Sequence, residues 1–177
     1  SLHFRFGVIG DTHIGSRHER FSELKAFYEI AKKESCEAVY HAGDITAGVN
    51  VYRGQMNELK FCNQGEQVDY VIANYPDCLP TYAISGNHDL RNYEMGGSDP
   101  LYEIAYKRPD IKHLGQLGAI VELPRGVKMQ LVHPLGGGAY AVSYKGQKYI
   151  DNIEGGFKPN ILIFGHWHQS LYFQRRN

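Results

Sequence analysis

The sequence has no pair of cysteines suited to a disulfide framework or a thiolate metal site. Its three cysteines, Cys36, Cys62 and Cys78, are far apart and form no Cys-x-x-Cys motif. An odd number at such spacings argues against structural disulfides and against zinc–thiolate chemistry. We therefore expect a protein of a reducing compartment, with a cytoplasmic location.

Long apolar runs and a charge excess are also missing. No stretch of about eighteen apolar residues is present, so no membrane span is expected. No basic segment followed by an apolar core marks a secretory leader. Lysine plus arginine and aspartate plus glutamate both number 19, which gives a formal charge of zero. Proteins that follow a nucleic-acid backbone usually carry a basic excess, so this balance weakens a nucleic-acid assignment but leaves it open.

The residues that are present predict one mixed α/β domain over residues 1–177. Apolar segments at 3–10, 38–42 and 81–85 predict strands, and a helical spacing over 21–34 predicts a helix between the first two. A strand–helix–strand order favours parallel strands, with ligands bound at the edge where they end. Further strands are predicted at 111–114, 119–123, 127–132, 160–164 and 170–175. Further helices are predicted at 55–74 (with a break near Gly65), at 99–108 with Asp99 as the cap, and at 139–153.

Histidine is abundant, with nine residues, and most of these follow predicted strands. Five strands end in a polar cluster: Asp11 with His13, Asp44, Asn87 with His88 and Asp89, His133, and His166 with His168. A single aspartate after a strand is usually a turn residue or a helix cap. Five clusters of metal-ligand residue types at strand ends instead favour one shared chemical site.

Seven of these residues supply metal donors of hard or borderline character, and none supplies a thiolate. They are Asp11, His13, Asp44, Asn87, His133, His166 and His168. Such a set suits Mn²⁺, Fe²⁺ or Zn²⁺ better than an all-oxygen Ca²⁺ or Mg²⁺ site. Seven donors exceed what one tetrahedral ion needs, whereas two ions that share a carboxylate accommodate them. Two ions about 3.5–4 Å apart are the usual clamp for displacement at phosphorus.

In order and position, these clusters resemble the five motifs of the calcineurin-like metallophosphoesterases. The resemblance covers residues 4–170 approximately. It implies a four-layer αββα sandwich of two mixed sheets flanked by helices, with the metal site at the C-terminal ends of the strands. It also implies that one metal binds Asp11, His13, Asp44 and His168, and that the other binds Asp44, Asn87, His133 and His166.

The resemblance further implies a hydrolase for phosphoric ester bonds, with Mn²⁺ as the expected metal and Fe²⁺ or Zn²⁺ as alternatives. A hydroxide that bridges the two metals would attack phosphorus. Asn87 and His88 would contact the phosphate, and His88 would donate a proton to the leaving oxygen. Asp89 would orient His88, or would instead cap the segment that follows.

The residues after Asp44 depart from one branch of the family. Many protein phosphatases of the superfamily have the pattern Gly-Asp-x-Val-Asp-Arg-Gly. Here Ala47 occupies the position of the second aspartate, and no arginine follows it. The difference favours the phosphodiesterase and nuclease branches, with a loose similarity to repair nucleases and to the small subunit of archaeal replicative DNA polymerase. Arg53 is a candidate substrate contact, with a solvated loop arginine as the alternative.

The leading hypothesis is therefore a dimetal phosphodiesterase that acts on nucleic acid or a nucleotide. A phosphomonoesterase for a small metabolite is the alternative among enzymes. A non-catalytic, metal-binding subunit of a DNA-processing complex is the alternative from another class. Family members often continue beyond the last ligand pair, so two alternatives stay open: a domain truncated at its C-terminus, or a complete one with a shallow, open site.

Several other residues have two interpretations. His41 precedes the Gly43-Asp44 motif within a strand and is expected either to point away from the site or to support it, rather than to bind metal. Trp167 lies between two predicted ligands and would either form a wall of the pocket or pack internally. Tyr140 and Tyr144 are four residues apart and would either stack on a base or sugar or form a packing stripe.

Overall fold

The computed structural model describes residues 3–137, 141 and 143–174. The strands of this described part are β1 (Phe6–Ile9), β2 (Ala38–His41), β3 (Thr81–Ser85), β4 (Ile111–Gln116), β5 (Gly118–Leu123), β6 (Val127–Val132) and β7 (Ile161–Phe164). Its α-helices are α1 (Phe21–Lys33), α2 (Gln64–Asn74), α3 (Asn87–Glu94), α4 (Pro100–Lys107) and α5 (Tyr144–Asn152). Short 3₁₀ turns cover Gln55–Glu58 and Pro124–Gly126. Among the described residues, none of these helices combines the length and the hydrophobicity that a membrane span requires.

The strands form two sheets. The first has the order β1-β2-β3-β4, and all of its neighbours are parallel. The second has the order β5-β6-β7, with β5 antiparallel and β7 parallel to β6. Two sheets flanked by helices confirm the predicted fold, although only the second sheet is mixed. The first is wholly parallel because crossover segments join its successive strands, and all three of these contain helices.

The first sheet is buried between helices and the second sheet. On β2, Val39 packs with apolar residues of α1, α2 and α4, while Tyr40 packs with Leu131 of β6. This alternation arises because successive side chains of a strand point to opposite faces. On the far side of the second sheet, the Tyr149 ring of α5 meets the Phe164 ring edge-on, with centroids 5.3 Å apart. The layers therefore run helix, sheet, sheet, helix.

Most of the predicted elements are confirmed, with shifted ends. The helix expected over 55–74 is divided into a 3₁₀ turn and α2. The Asn63 side chain starts α2, because its Oδ1 accepts a hydrogen bond from Gly65 N at 2.7 Å. Asp99 caps α4 in the same way, through Leu101 N at 3.0 Å, as predicted.

Three predictions of secondary structure differ from the fold. The sequence patterns do not reveal α3, because this helix is largely polar. Its first turn is held by Asp44, whose Oδ1 accepts a hydrogen bond from His88 N, 44 residues later in the sequence. Residues 170–174 do not form the expected strand, and Phe173 instead lies beside Gly146 of α5. The helix expected from residue 139 begins at Tyr144; residues 138–140, including the predicted stacking residue Tyr140, lie outside the described residues.

Main-chain hydrogen bonds join the loops at the rim where the strands end. Asp11 N donates to Gly43 O at 2.9 Å, which aligns the loops after β1 and β2. Leu117 connects the two sheets, because its N donates to Ser85 O at 2.8 Å and its O accepts from His133 N at 2.8 Å. The ends of β1, β2, β3, β6 and β7 therefore meet in one place.

Candidate metal centre

Five of the predicted ligands have a left-handed backbone conformation, which is uncommon for residues other than glycine. The φ angles are +54° at Asp11, +42° at His13, +58° at Asp44, +78° at His166 and +49° at His168. Each such residue costs about 1–3 kcal/mol, so the surrounding structure has to compensate. These sharp turns direct the side chains of separate loops to a common centre, and the strain is concentrated at the site.

The Asp44 carboxylate lies at the middle of the cluster and is 1% exposed. Its Oδ1 accepts a hydrogen bond from His88 N at 2.9 Å. Its Oδ2 is buried without a hydrogen bond from the described residues, and lies 3.2 Å from His133 Nε2 and 3.8 Å from His13 Nε2. Burial opposes ionisation, but the imidazole of His133 and those of His88 and His13 outweigh it, so the pKa of Asp44 lies below its usual value. A carboxylate in this setting fits a cation at Oδ2.

His133 presents a lone pair to the same space. Its Nδ1 is 2.8 Å from Ala42 O, which can only accept, so Nδ1 carries the hydrogen. Its Nε2 then faces two acceptors, Asn87 Oδ1 at 2.9 Å and Asp44 Oδ2 at 3.2 Å. Burial acts to lower the pKa of His133, but Asp44 raises it above the ordinary value. Three electron-pair donors that converge in this way are suited to a divalent metal ion.

A second group of donors lies on the other side of Asp44. His13 Nε2 and His168 Nε2 are 3.0 Å apart, and His168 Nε2 is 3.7 Å from Asp11 Oδ1. Burial lowers the pKa of His13 to about 3, so the ring is neutral near pH 7, which is the form that binds metal. The Asp11 carboxylate is held by His166 N at 2.8 and 3.0 Å. Burial raises the pKa of Asp11, and the bond from His166 opposes that rise.

The side chains form overlapping sets of metal donors. Each set has ligand atoms within 4.8 Å of one another: Asp11, His13 and His168; Asp44, His133 and His166; and His13, Asp44 and His88. His166 belongs to the second set. Its Nε2 is 3.0 Å from Gly136 O, which accepts the Nε2 hydrogen, so the lone pair of Nδ1 is available to a metal ion. The structure therefore brings all seven predicted ligands together and adds His88 to their neighbourhood.

His88 lies at the start of α3 with its ring directed into the cluster. The ring centroid is 4.4 Å from that of His13. Its Nδ1 is 2.6 Å from Ala47 O, which accepts the Nδ1 hydrogen. The side chain is thus oriented by a main-chain carbonyl group, and its Nε2 is the atom available to a ligand.

The prediction that Asp89 orients His88 is wrong. Asp89 is fully buried, and its carboxylate accepts bonds from Gly86 N at 2.9 Å and from Ile45 N at 3.2 Å. It also accepts from Thr46 N and Thr46 Oγ1, both at 2.8 Å. Burial, followed by the charge of nearby Asp44, raises the pKa of Asp89 to about 7. The bond from Gly86 caps α3, as the alternative interpretation states, and the others hold the loop after Asp44.

The aromatic residue Tyr52, which precedes the candidate substrate contact Arg53, approaches His88. Arg53 is exposed, whereas the preceding Tyr52 ring has its centroid 6.2 Å from that of His88. Tyr52 is 49% exposed, and its hydroxyl donates to Glu58 Oε2 at 2.6 Å. With Asp11, His13 and His168, it lines a groove beside the centre. Sequence reasoning missed Tyr52 because its proximity to His88 depends on the fold of the 45–55 loop.

Two further residues have supporting roles. His41 is fully buried, and its Nδ1 accepts from Gly43 N at 3.2 Å while its Nε2 lies 3.1 Å from Thr12 Oγ1. Burial lowers the pKa of His41 to about 3, so the ring is neutral. It joins the loops after β1 and β2, which is the supporting role among the two expected for it. The Trp167 ring packs against Phe164 with centroids 5.2 Å apart.

Comparison with known proteins agrees with this fold and site. The family model described as calcineurin-like phosphoesterase matches residues 4–170. The DNA polymerase II small subunit of Thermoplasma acidophilum is 29% identical over 90 residues, which cover 46% of this chain and 18% of that protein. The corresponding subunit of Pyrococcus abyssi is 30% identical over 96 residues, which cover 46% of this chain and 16% of that protein. The aligned part is less than a fifth of either relative. The match of the family model over nearly the whole chain shows that this protein belongs to the calcineurin-like phosphoesterase family.

Proposed function

We propose that this protein is a phosphodiesterase that depends on two divalent metal ions. The observation that carries the proposal is Asp44 Oδ2, which is buried without a hydrogen bond from the described residues and faces imidazole nitrogens of His133 and His13. A cation would stabilise that carboxylate at once. Membership of the calcineurin-like phosphoesterase family supports the same conclusion.

The ligands divide into two sets that share Asp44. We assign one ion to Asp11, His13, Asp44 and His168, and the other to Asp44, Asn87, His133 and His166. When bound, two such ions would lower the pKa of a water molecule and offset the charge of the phosphoryl group. Mn²⁺ is our first candidate because the nitrogen and oxygen donors include no thiolate, and Fe²⁺ and Zn²⁺ follow.

His88 is assigned to the substrate. Its Nδ1 hydrogen is held by Ala47 O, so Nε2 is directed towards the cluster. A protonated His88 would donate its Nε2 hydrogen to the leaving oxygen as the bond to phosphorus breaks, which is general acid catalysis. Asn87, next to it at the start of α3, would contribute to binding both the metal and the phosphate.

A diester is the proposed substrate class. No arginine directly follows Ala47, where many protein phosphatases of the family carry one, and Arg53 of the same loop is exposed, which favours a diester over the doubly charged phosphomonoester. The two relatives are subunits of DNA polymerases, which supports nucleic acid or a nucleotide as the source of the diester.

A second candidate is a subunit of a DNA-processing complex that binds metal but does not hydrolyse. The description of both relatives as polymerase small subunits favours it. It differs from the first candidate in one measurable respect, because it requires the metal centre without turnover.

Metal content and hydrolysis by one protein preparation test both candidates. The protein is treated with a chelator, reconstituted with Mn²⁺, and assayed on bis(p-nitrophenyl) phosphate, p-nitrophenyl phosphate and single-stranded DNA. We expect two ions per chain and faster turnover of the two diesters than of the monoester p-nitrophenyl phosphate. Asp44→Asn should lose bound metal and activity, while Asp69→Asn, the same change at an exposed position of α2, should retain both. Two ions without turnover of any substrate would favour the second candidate, and full metal content and activity in Asp44→Asn would refute the ligand assignment.

A further inference from the structure

Gln55 holds the loop between Asp44 and α2 together, although it belongs to none of the polar clusters. It lies in the 3₁₀ turn and is 2% exposed. Its Nε2 donates to Ala47 O at 2.7 Å, and its Oε1 accepts from Val51 N at 2.8 Å. Because a buried amide without partners is costly, these bonds maintain the shape of the loop.

The Ala47 carbonyl oxygen is shared between Gln55 and His88. It accepts from Gln55 Nε2 at 2.7 Å and from His88 Nδ1 at 2.6 Å, which occupies both of its lone pairs. Ala47 is 2% exposed, so solvent does not substitute for either donor. The hydrogen bond at Nδ1 fixes the orientation of the His88 ring and therefore the direction of its Nε2 atom.

The neighbouring peptide group is held mainly by Gln67, and Gln55 Nε2 adds only a long contact of 3.5 Å to Gly48 O. Gly48 N donates to Gln67 Oε1 at 3.0 Å, and Gln67 Nε2 donates to Gly48 O at 3.1 Å. Gly48 has a φ of +67°, and a Cβ atom there would lie 2.3 Å from His88 O. This segment is therefore packed tightly against α3 by Gln67, and loss of Gln55 alone leaves that contact in place.

We infer that Gln55 is a positioning residue for His88, because its amide holds the carbonyl group that orients the imidazole ring. The inference rests on the proposed function, in which His88 donates a proton to the leaving oxygen. A main-chain carbonyl is uncharged, so it contributes direction to the ring and no net negative charge. The loop therefore orients the His88 ring mainly by holding that carbonyl group in place.

The test compares two diesters that differ in their need for an acid. Gln55→Met approximately retains the volume of the side chain and removes its three polar contacts, to Ala47 O, Gly48 O and Val51 N. For thymidylyl-(3′,5′)-thymidine, whose leaving alkoxide needs a proton, we expect kcat to fall roughly 10- to 100-fold with unchanged KM and metal content. For bis(p-nitrophenyl) phosphate, whose leaving phenolate does not, we expect less than about a threefold change. Gln147→Met, at an exposed position of α5, is the matched control.

A double variant separates positioning from a general structural role. If Gln55 acts through His88, adding Gln55→Met to His88→Ala should lower kcat no further. Losses that multiply in the double variant would overturn the inference, as would wild-type turnover of the dinucleotide by Gln55→Met.

The hydrogen bond itself supplies a readout that does not depend on activity. In protein labelled with ¹⁵N-histidine, the Nδ1 proton of His88, identified by its loss in His88→Ala, should exchange slowly and should shift or broaden in Gln55→Met. An inactive wild-type protein that shows this resonance would refute the proposed function alone. A wild-type spectrum without it would overturn the inference even if Gln55→Met failed to fold.

Discussion

Replacing Asp89 with asparagine should destabilise the protein strongly, although Asp89 is not among the predicted metal ligands. Each carboxylate oxygen of Asp89 accepts two hydrogen bonds. Oδ1 accepts from the main-chain N and the Oγ1 of Thr46. Oδ2 accepts from Gly86 N and from Ile45 N. An asparagine amide turned either way places its NH₂ group against at least one main-chain N–H. That N–H would remain buried without an acceptor, because Asp89 is fully buried.

The size of the effect follows from these contacts. An unsatisfied buried donor costs about 1–3 kcal/mol, and loss of a bond to a charged acceptor costs a similar amount, so we expect a total of about 2–5 kcal/mol at a pH well above 7, where Asp89 is ionised. For a chain of this size, that corresponds to a fall in Tm of roughly 5–20 °C. Thermal unfolding with a chelator present measures it without a contribution from metal. Asp69→Asn should change the free energy of unfolding by less than about 0.5 kcal/mol, and equal melting of the two variants would refute the supporting role of Asp89.

Three other outcomes are expected. Removal of metal should lower Tm, and Mn²⁺ at 100 times its Kd should raise the free energy of unfolding of the wild type by about 3 kcal/mol. The same addition should stabilise His133→Ala much less. Equal stabilisation of the two proteins in calorimetry would remove His133 from the ligand set. Tyr52→Leu should raise KM for diesters with aromatic groups by about 5- to 150-fold if the ring stacks on them, whereas Tyr52→Phe should retain the wild-type KM in steady-state assays; identical KM values in all three proteins would contradict stacking. Burial raises the pKa of Tyr28 to about 12 from an ordinary value of 10.0, so the folded state retains this proton longer than the unfolded chain. Urea titrations should therefore show the free energy of unfolding falling by about 2 kcal/mol between pH 10 and pH 12, and Tyr28→Phe should reduce that slope; an unchanged slope would exclude Tyr28 as its source.

The predicted positions of the polar clusters agree with the structure because they depend on short-range information. A strand pattern that ends in Asp11 or His133 indicates where the side chain leaves the sheet, and parallel order brings those ends to one rim. The polar α3 has no apolar periodicity to reveal it. Its start is stabilised by Asp44, which is distant in the sequence.

The roles of the residues around His88 also depend on contacts that the sequence does not reveal. A carboxylate next to a histidine suggests an orienting pair, yet Asp89 points to the main chain of 45–46, whereas the partner of His88 is the carbonyl of Ala47. A carbonyl group is present at every residue, so no residue type marks this partner. Gln55 is likewise hidden in an ordinary polar turn, and only its burial reveals its function in the loop.

The fold class and the donor chemistry follow from the amino-acid sequence, because strand patterns and residue types are local properties. Only the folded structure places the buried Asp44 Oδ2 between imidazoles with no hydrogen bond from the described residues, directs Asp89 to the main chain of a loop, and brings Tyr52 close to His88. Each of these depends on distances between segments separated by more than thirty residues, where packing determines which atoms meet.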